Sequence, residues 1–139
     1  MTDSIRYTVN GPFRPEEIHS LFQSAGFDIQ PLSRLVGAIS GSTAYITATD
    51  GDKLIGFGRL LTDCHSIAYI NFMAVDPGYQ RKGVGQSILR KLVEASGDAD
   101  RVFLYTNTAD AFYVRNGFTP SEKRLYLYRK QRTKHPGGF

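Results

Sequence analysis

Asp76-Pro77-Gly78-Tyr79-Gln80-Arg81-Lys82-Gly83-Val84-Gly85-Gln86 is the stretch whose reading decides the fold. An apolar run, Ile67 to Val75, leads into it, and an amphipathic run, Val84 to Ala95, leads out. Strand, glycine-containing basic loop, then helix is how a chain presents a row of backbone N–H groups to a phosphate. The stretch therefore reads as a pyrophosphate cradle. Two nucleotide motifs fail on it. A Walker loop needs Gly-Lys-Ser/Thr, which does not follow Gly83-Val84-Gly85. A dinucleotide fingerprint needs a third glycine where Ile88 stands, and an acidic residue about 20 positions on, for which Asp100 is weak support. A third pattern, Gln/Arg-x-x-Gly-x-Gly/Ala, is met in full by Gln80-Arg81-Lys82-Gly83-Val84-Gly85.

Working outward, the flanks alternate between two periods. Ile5 to Val9 is a short strand-forming run, closed by Asn10-Gly11-Pro12. Pro15 suits a first helical position, with Glu16 and Glu17 in the first turn, and Ile18, Leu21, Phe22 and Ala25 form an apolar stripe that Gly26 can stop. Pro31 opens a second helix with Leu32, Leu35, Val36 and Ile39 on one side, and Gly41 ends it. The period then drops to two. Thr43 to Thr49, the turn Asp50-Gly51-Asp52, and Lys53 to Leu61 read as a hairpin, and Ile67 to Val75 as a third antiparallel strand. Gly56 and Gly58 share a face and predict close approach by another backbone or a ligand. Beyond the loop, Val84, Ile88, Leu89, Leu92 and Val93 stripe a helix. Val102 to Tyr105 reads as a buried strand parallel to Ile67–Val75. Thr108 to Asn116 reads as a short helix, capped by Asn107 or Thr108 and followed by Gly117 at C′. A strand at about Arg124 to Arg129 completes the order βααβββαβαβ. The fold class is α/β, a mixed, mostly antiparallel sheet flanked by helices.

The 139 residues suit a single domain, 1–139, with 41% hydrophobic content to build its core. No apolar run approaches the ~20 residues of a membrane span, and no signal peptide is seen at the start. One cysteine, Cys64, rules out an internal disulfide and fits a reducing compartment, so the cytoplasm is expected. Three scattered histidines lack metal-ligand spacing, so no metal is expected. The net charge of +4 suits either nucleic acid or a polyanionic small molecule. Arg81 and Lys82 sit in the loop. Arg124, Arg129, Lys130, Arg132 and Lys134 read as a solvated last strand and tail, so no nucleic-acid partner is expected.

Two stretches, Met73-Ala74-Val75-Asp76-Pro77-Gly78-Tyr79-Gln80-Arg81-Lys82-Gly83-Val84-Gly85 and Ala109-Asp110-Ala111-Phe112-Tyr113-Val114-Arg115-Asn116-Gly117-Phe118, together resemble the GCN5-related N-acetyltransferase (GNAT) superfamily. The order of elements resembles it over nearly the whole chain. The resemblance implies acetyl-CoA as co-substrate and direct acetyl transfer to an amine, small or protein-borne. It places the pyrophosphate on the backbone of about Arg81 to Gln86, so that Gln80, Arg81, Lys82, Gly83, Val84, Gly85 and Gln86 surround it. It lays the pantetheine arm along Met73, Ala74 and Val75, with a backbone N–H near Met73 facing the acetyl oxygen. Asn107 matches a coenzyme-contacting asparagine, against the alternative of a helix cap. Tyr113 matches the general-acid tyrosine, against the alternative of a core aromatic beside Phe112 and Phe118.

The base stays open. Asn71 stands where the family often has an acidic residue or histidine, and an amide accepts no proton. Tyr69, Asp63 and His65 are candidates beside loss of the proton to solvent. The acceptor pocket is expected from the two early helices, the Thr62–Ser66 loop and the Tyr126–Tyr128 region. The family commonly dimerises, which leaves a homodimer as an open expectation. The alternative function is a non-catalytic acyl-CoA-binding sensor.

Overall fold

A computed structural model of the protein describes residues 4–28 and 30–130. Its elements are β1 (Ile5–Val9), α1 (Pro15–Ser24), α2 (Leu32–Ser40), β2 (Ala44–Asp50), β3 (Lys53–Thr62), β4 (Ile67–Val75), a 3-10 turn (Pro77–Tyr79), α3 (Val84–Ala95), β5 (Arg101–Phe103) and α4 (Asp110–Arg115). The five strands lie in sequence order in one sheet. Pairing is antiparallel from β1 to β4, with α1 and α2 between β1 and β2 and short turns joining β2 to β3 and β3 to β4, and it is parallel between β4 and β5, where α3 makes the crossover.

Each sheet face is covered by the helices whose apolar stripes match it. On one face α1 buries Ile18, Leu21 and Phe22, and α2 buries Leu35 and Ile39, against Leu54, Phe57, Phe72 and Ala74. The Phe22 ring centroid lies 5.7 Å from that of Phe57 and 5.3 Å from that of Phe72, both edge-on. On the other face α3 sets Val84, Ile88, Leu89 and Leu92 onto Ala44, Ile46, Ala48, Ile55, Leu60, Ala68 and Ile70. Gly56 and Gly58 admit this helix. A Cβ on Gly58 would stand 2.7 Å from Ile88 Cγ2 and 2.8 Å from both Leu92 Cδ1 and Met73 Sδ. The close approach predicted at these glycines is made by packed side chains.

The β3–β4 register breaks between Phe57 and Arg59. Phe57 pairs with Ala74 and Arg59 with Asn71, so Phe72 and Met73 stand opposite the single residue Gly58. This is a β-bulge, and Phe72 takes φ +57° to make it. The bulge reverses the faces of β4. Ala68 and Ile70 join the α3-side core, whereas two and four residues on Phe72 and Ala74 join the α1/α2 side.

Four expectations need correcting. The strand expected to be buried over Val102 to Tyr105 is β5, Arg101–Phe103, at the end of the sheet, with Arg101 and Phe103 exposed. The last strand does not form: residues 124–129 have no strand pairing and are exposed. Arg132 and Lys134 lie outside the described residues. The α4 helix starts later than expected, and neither Asn107 nor Thr108 caps it by side chain. Instead Thr106 Oγ1 accepts the N–H groups of Thr108 (3.3 Å) and Ala109 (3.1 Å), turning the chain ahead of the helix. Gly117 does hold the C′ position, at φ +93°.

Gly58→Val should destabilise the fold by about 1–3 kcal/mol, because the added carbons have no room between α3 and Met73. Urea unfolding of the variant against the native chain checks this, and an unchanged midpoint would contradict the packing described.

Candidate active site

The loop after β4 is built by backbone conformations that point its N–H groups outward. Asp76 Oδ1 accepts the Gly78 N–H at 2.8 Å and starts the 3-10 turn. Arg81 (φ +64°) and Gly83 (φ +85°) then take left-handed conformations in close succession. Gly83 does so cheaply, since it has no Cβ. The Ser87 N–H donates to the Gly83 carbonyl at 3.0 Å and begins the bonding of α3. Among the described residues the backbone N–H groups of Arg81 to Gln86 donate to no protein group. A row of open donors at the positive end of a 12-residue helix is a geometry suited to an anion.

Several side chains brace the loop. Gln80 Nε2 donates to the Val75 carbonyl at 3.1 Å, which ties the loop to the end of β4. The Tyr79 hydroxyl donates to Asp50 Oδ2 at 2.6 Å, and Ser4 Oγ donates to Asp50 Oδ1 at 3.0 Å. Lys53 and Lys82 each hold an ammonium 5.6 Å from the Tyr79 ring centroid. The hydrogen bond from Tyr79, then that from Ser4, holds the Asp50 carboxyl below its ordinary range. The same bond to Asp50 raises the Tyr79 hydroxyl.

Two cavities meet at β4. The first, of about 630 Å³, is lined by Met73, Val75, Gln80, Arg81, Gly83, Gly85 and Gln86, with Ala109, Phe112, Tyr113, Arg115 and Asn116 from the α4 side. The second, of about 350 Å³, opens where β4 and β5 part. Their pairing ends at Tyr69 and Phe103, and Leu104 to Thr108 diverge to form one wall. Tyr69 to Met73 form another wall, and Phe22, Phe27, Asp28, Gln30 and Leu35 close it from the α1–α2 side. Met73 and Tyr113 line both cavities.

The residues singled out from the sequence divide accordingly. Met73, Val75, Gln80, Arg81, Gly83, Gly85, Gln86 and Tyr113 come together on the first cavity. Lys82 is exposed beside Tyr79, Val84 is buried under the sheet, and the Ala74 side chain belongs to the α1/α2 core. Asn107 lines the second cavity and not the first. Phe112 packs against the α3-side core and its ring approaches Gly85, where a Cβ would lie 3.3 Å from Cζ, so Gly85 is also needed to let α4 close the first cavity.

Burial raises the Tyr113 hydroxyl above its ordinary value and keeps it protonated at neutral pH. Tyr69 is pushed up to about 12, first by burial and then by its neighbour Tyr105, whose ring centroid is 6.3 Å away. Asn71 is fixed by Arg59. Its Oδ1 accepts from Arg59 Nη1 at 3.1 Å, while Arg59 Nε donates to Ser42 Oγ at 2.8 Å and the guanidinium lies 5.0 Å from the Phe72 ring. An arginine only donates, so the Asn71 amide must turn its oxygen to it.

The candidates around Asp63 do not reach either cavity. Asp63 Oδ1 accepts the N–H groups of His65 (2.9 Å), Ser66 (2.8 Å) and Ile67 (3.3 Å), which hold its carboxyl below the usual range and give it a turn-forming role. The Thr62–Ser66 loop and Tyr126–Tyr128 expected around the acceptor pocket are absent from its lining. The β4 bulge and the Arg59–Asn71 pair were missed, and no glycine or charge pattern on β4 signals them. Among the described residues no His, Cys, Asp and Glu side chains group as a metal site would need.

A family profile described as an acetyltransferase (GNAT) domain matches residues 41–120. The histone acetyltransferase TAP1 of Glycine max is 26% identical over 129 residues, covering 82% of this chain and 55% of the relative. The chain spans about half the length of the curated relatives it matches. A GNAT-family acetyltransferase structure from Streptococcus pneumoniae superposes with a TM-score of 0.75 at 26% identity, covering 91% of this chain and 99% of that one. A structure from Staphylococcus aureus, described as a protein of unknown function and probable acetyltransferase, superposes at 0.78 with 25% identity and the same coverage.

The Tyr79–Asp50 anchor sets a pH dependence for the loop. Asp50 is depressed, so its contribution is fully present above its unfolded value, near 3.8, and is lost as pH falls through the lower folded value. Tyr79 is raised from 10.0, so its contribution is complete below that value and is lost as pH rises through the higher folded one. Protection from amide exchange at Gly78 and Tyr79, whose N–H groups are bonded to Asp76, should be greatest between these limits and should fall there in Tyr79→Phe, with the dependence on Asp50 titration gone.

Proposed function

This chain belongs to the GNAT acetyltransferase family, and on that premise we propose that it is an acetyl-CoA-dependent N-acetyltransferase that moves the acetyl group directly to an amine. The observation that carries the reading is the shared wall: Met73 and Tyr113 alone line both the cavity at the open loop and the aromatic cavity across the β4–β5 divergence. A donor anchored at the loop and an acceptor entering between β4 and β5 would meet at those two residues. The first cavity suits coenzyme A because it joins an anion site of bare N–H groups to a strand edge released by the bulge.

The protein's own groups then have distinct tasks. The N–H groups of Arg81 to Gln86 hold the pyrophosphate, and Arg81 and Lys82 add positive charge at its rim. Gln80 supports the cradle through Val75 and does not need to touch the ligand. Met73 and Val75 offer backbone groups to the pantetheine arm, with Met73 nearest the acetyl oxygen, where a fixed N–H stabilises developing negative charge. Tyr113 carries a hydroxyl that is protonated and has no hydrogen-bond partner among the described residues, so it is free to donate to the leaving sulfur. Asn107, on the second cavity, is read as an acceptor-side residue in place of a coenzyme contact.

The acceptor cavity is walled by Phe22, Phe27, Tyr69, Phe72, Tyr105 and Tyr113, with Asp28 at its edge. This lining supports an amine presented on a narrow, partly apolar arm. The single cysteine supports a reducing, cytoplasmic setting. The sensor reading gains no support from relatives named as acetyltransferases.

An amine-panel assay that follows free thiol release tests the function. At least one amine should give acceptor-dependent release, whereas tight coenzyme binding with no amine-dependent release across the panel would overturn it. Gly85→Trp should abolish coenzyme binding by calorimetry while the thermal transition persists, because the indole fills the space that Phe112 and Val75 leave. Tyr113→Phe should lower kcat roughly ten- to a thousandfold, in the range for loss of a general acid, with coenzyme affinity little changed.

A further inference from the structure

Gln30 is a polar side chain buried where the protein gives it no partner. It is 6% exposed, and its amide makes no hydrogen bond among the described residues. A carboxamide shut away in that state is costly. Among the described residues, however, no side-chain N or O atom is sealed from solvent without a partner, so the Gln30 amide keeps contact with open space. The space it borders is the 350 Å³ cavity between α1, α2 and the parting of β4 from β5. A second amide shares that cavity. Asn71 lines it, and Asn71 Oδ1 is committed to Arg59 Nη1 at 3.1 Å. What this amide has left is Nδ2, with no acceptor among the described residues.

The charge of the lining says what these amides suit. Among the described residues it holds no Lys, Arg or His, and its one carboxylate is Asp28. A free carboxylate would give up its water there with no cation to face, whereas a neutral carbonyl needs only N–H donors. Gln30 offers a donor and an acceptor together, which matches the C=O and N–H of another amide. Asn71 stands two residues, roughly 7 Å of strand, before Met73, so a carbonyl held at Asn71 lies next to an amine that reaches Met73. The proton balance agrees. Tyr69 on this wall is pushed up to about 12 and Asn71 accepts no proton, so the site is best served by an amine that arrives partly neutral. An α-amine ionises at about 7.7–8.0 and is neutral in about a tenth of molecules at pH 7, whereas a lysine amine, at about 10.4, is neutral in only about four in ten thousand.

We propose that the acceptor is an α-amino amide, whose carbonyl accepts from the side-chain N–H groups of Gln30 and Asn71 and whose amide N–H donates to Gln30 Oε1. The orientation of its amine toward Met73 rests on the acetyl-transfer reading, but the recognition itself needs no turnover. Arg59 decides which end of the Asn71 amide is left for the ligand, and the aromatic walls receive the side chain on the α-carbon.

Titration of the isotope-labelled full chain, with and without coenzyme A, followed by NMR at the side-chain amides of Gln30 and Asn71, tests this. The probes are phenylalaninamide, phenethylamine and phenylalanine, which share one aromatic arm and differ only in the group beside the amine. Phenylalaninamide should shift both side-chain signals and bind roughly tenfold more tightly than either of the others, as two net hydrogen bonds would give. Asn71→Asp keeps an oxygen for Arg59 and lacks the donor, and Gln30→Met keeps the length and lacks the amide. Each should cut that preference by roughly three- to tenfold, and Asn71→Asp decides the matter whether or not Gln30→Met folds. With the preference in place, phenylalanylglycinamide binding as well as phenylalaninamide would extend the class to the amino end of a peptide, and weaker binding would confine it to small amides. Equal or undetectable binding of the three probes, or a preference that Asn71→Asp leaves untouched, would overturn the proposal. Thiol release judges the transfer separately. A preference without release would leave the recognition standing and remove the transfer, and release without preference would do the reverse.

Discussion

One extra residue in β4 governs most of what the rest of the structure does. Opposite Gly58 the strand spends two residues, Phe72 and Met73, and Phe72 accepts a left-handed backbone to do so. That conformation is unfavourable for a bulky side chain, and the surrounding rings hold it in place. Phe72 is buried against Phe22, with the Arg59 guanidinium 5.0 Å from its ring. The reversal of faces follows at once. Met73 and Val75 turn toward the α3 side and the loop cavity, while Phe72 and Ala74 seal the α1/α2 core. The strand also bends at the bulge, close to where the β4–β5 pairing has ended. The bulge on the β3 side and the end of pairing on the β5 side thus fall within a few residues of each other, and Met73 lies where both have occurred.

Gly58 is what the bulge requires from its partner strand. Any side chain there would collide with Ile88, Leu92 and Met73, so the glycine lets α3 lie close while the wider strand passes behind it. Because α3 lies close, its N-terminus is fixed relative to β4, and the open N–H groups point into the cavity that Val75 and Met73 line. Tyr79 adds a second fixed point by reaching Asp50 at the β2–β3 turn. The anion site and the reactive end of the site are thus set by packing of the same few elements. Neither depends on a flexible loop finding its place.

The sequence carried the helices, the hairpin, the parallel crossover and the cradle, because each leaves a local mark. Glycine at a left-handed position, proline at a helix start and an apolar stripe at helical spacing are all readable without a partner. The bulge left none. Ile67 to Val75 is almost continuously apolar, so a reversal of faces at residue 72 changes nothing in the pattern, and no glycine flags the strained position. The contact of Phe112 with Gly85 left no mark either, since it is set by where α4 docks. The opposite failure occurred at Arg124 to Arg129. The alternation there is a good strand pattern, yet no strand pairing forms over it, although β5 pairs with β4 alone. A pattern specifies what a segment is able to become, and pairing is decided by what docks beside it.

Proton traffic is the point at which geometry adds most to residue identity. A tyrosine held at about 12 is deprotonated in only about one molecule in 10⁵ at pH 7, which makes Tyr69 a poor base. Asp63 is committed to three backbone N–H groups away from the cavities, and Asn71 has its only acceptor oxygen taken by Arg59. None of these three is thus placed to take the proton. An amine arriving as ammonium is best served by giving its proton to water before it passes Tyr69, and the aromatic walls then favour the neutral form through desolvation. On the proposed acetyl transfer, burial keeps the Tyr113 hydroxyl protonated, so at the other end it can donate to the departing sulfur as charge develops there.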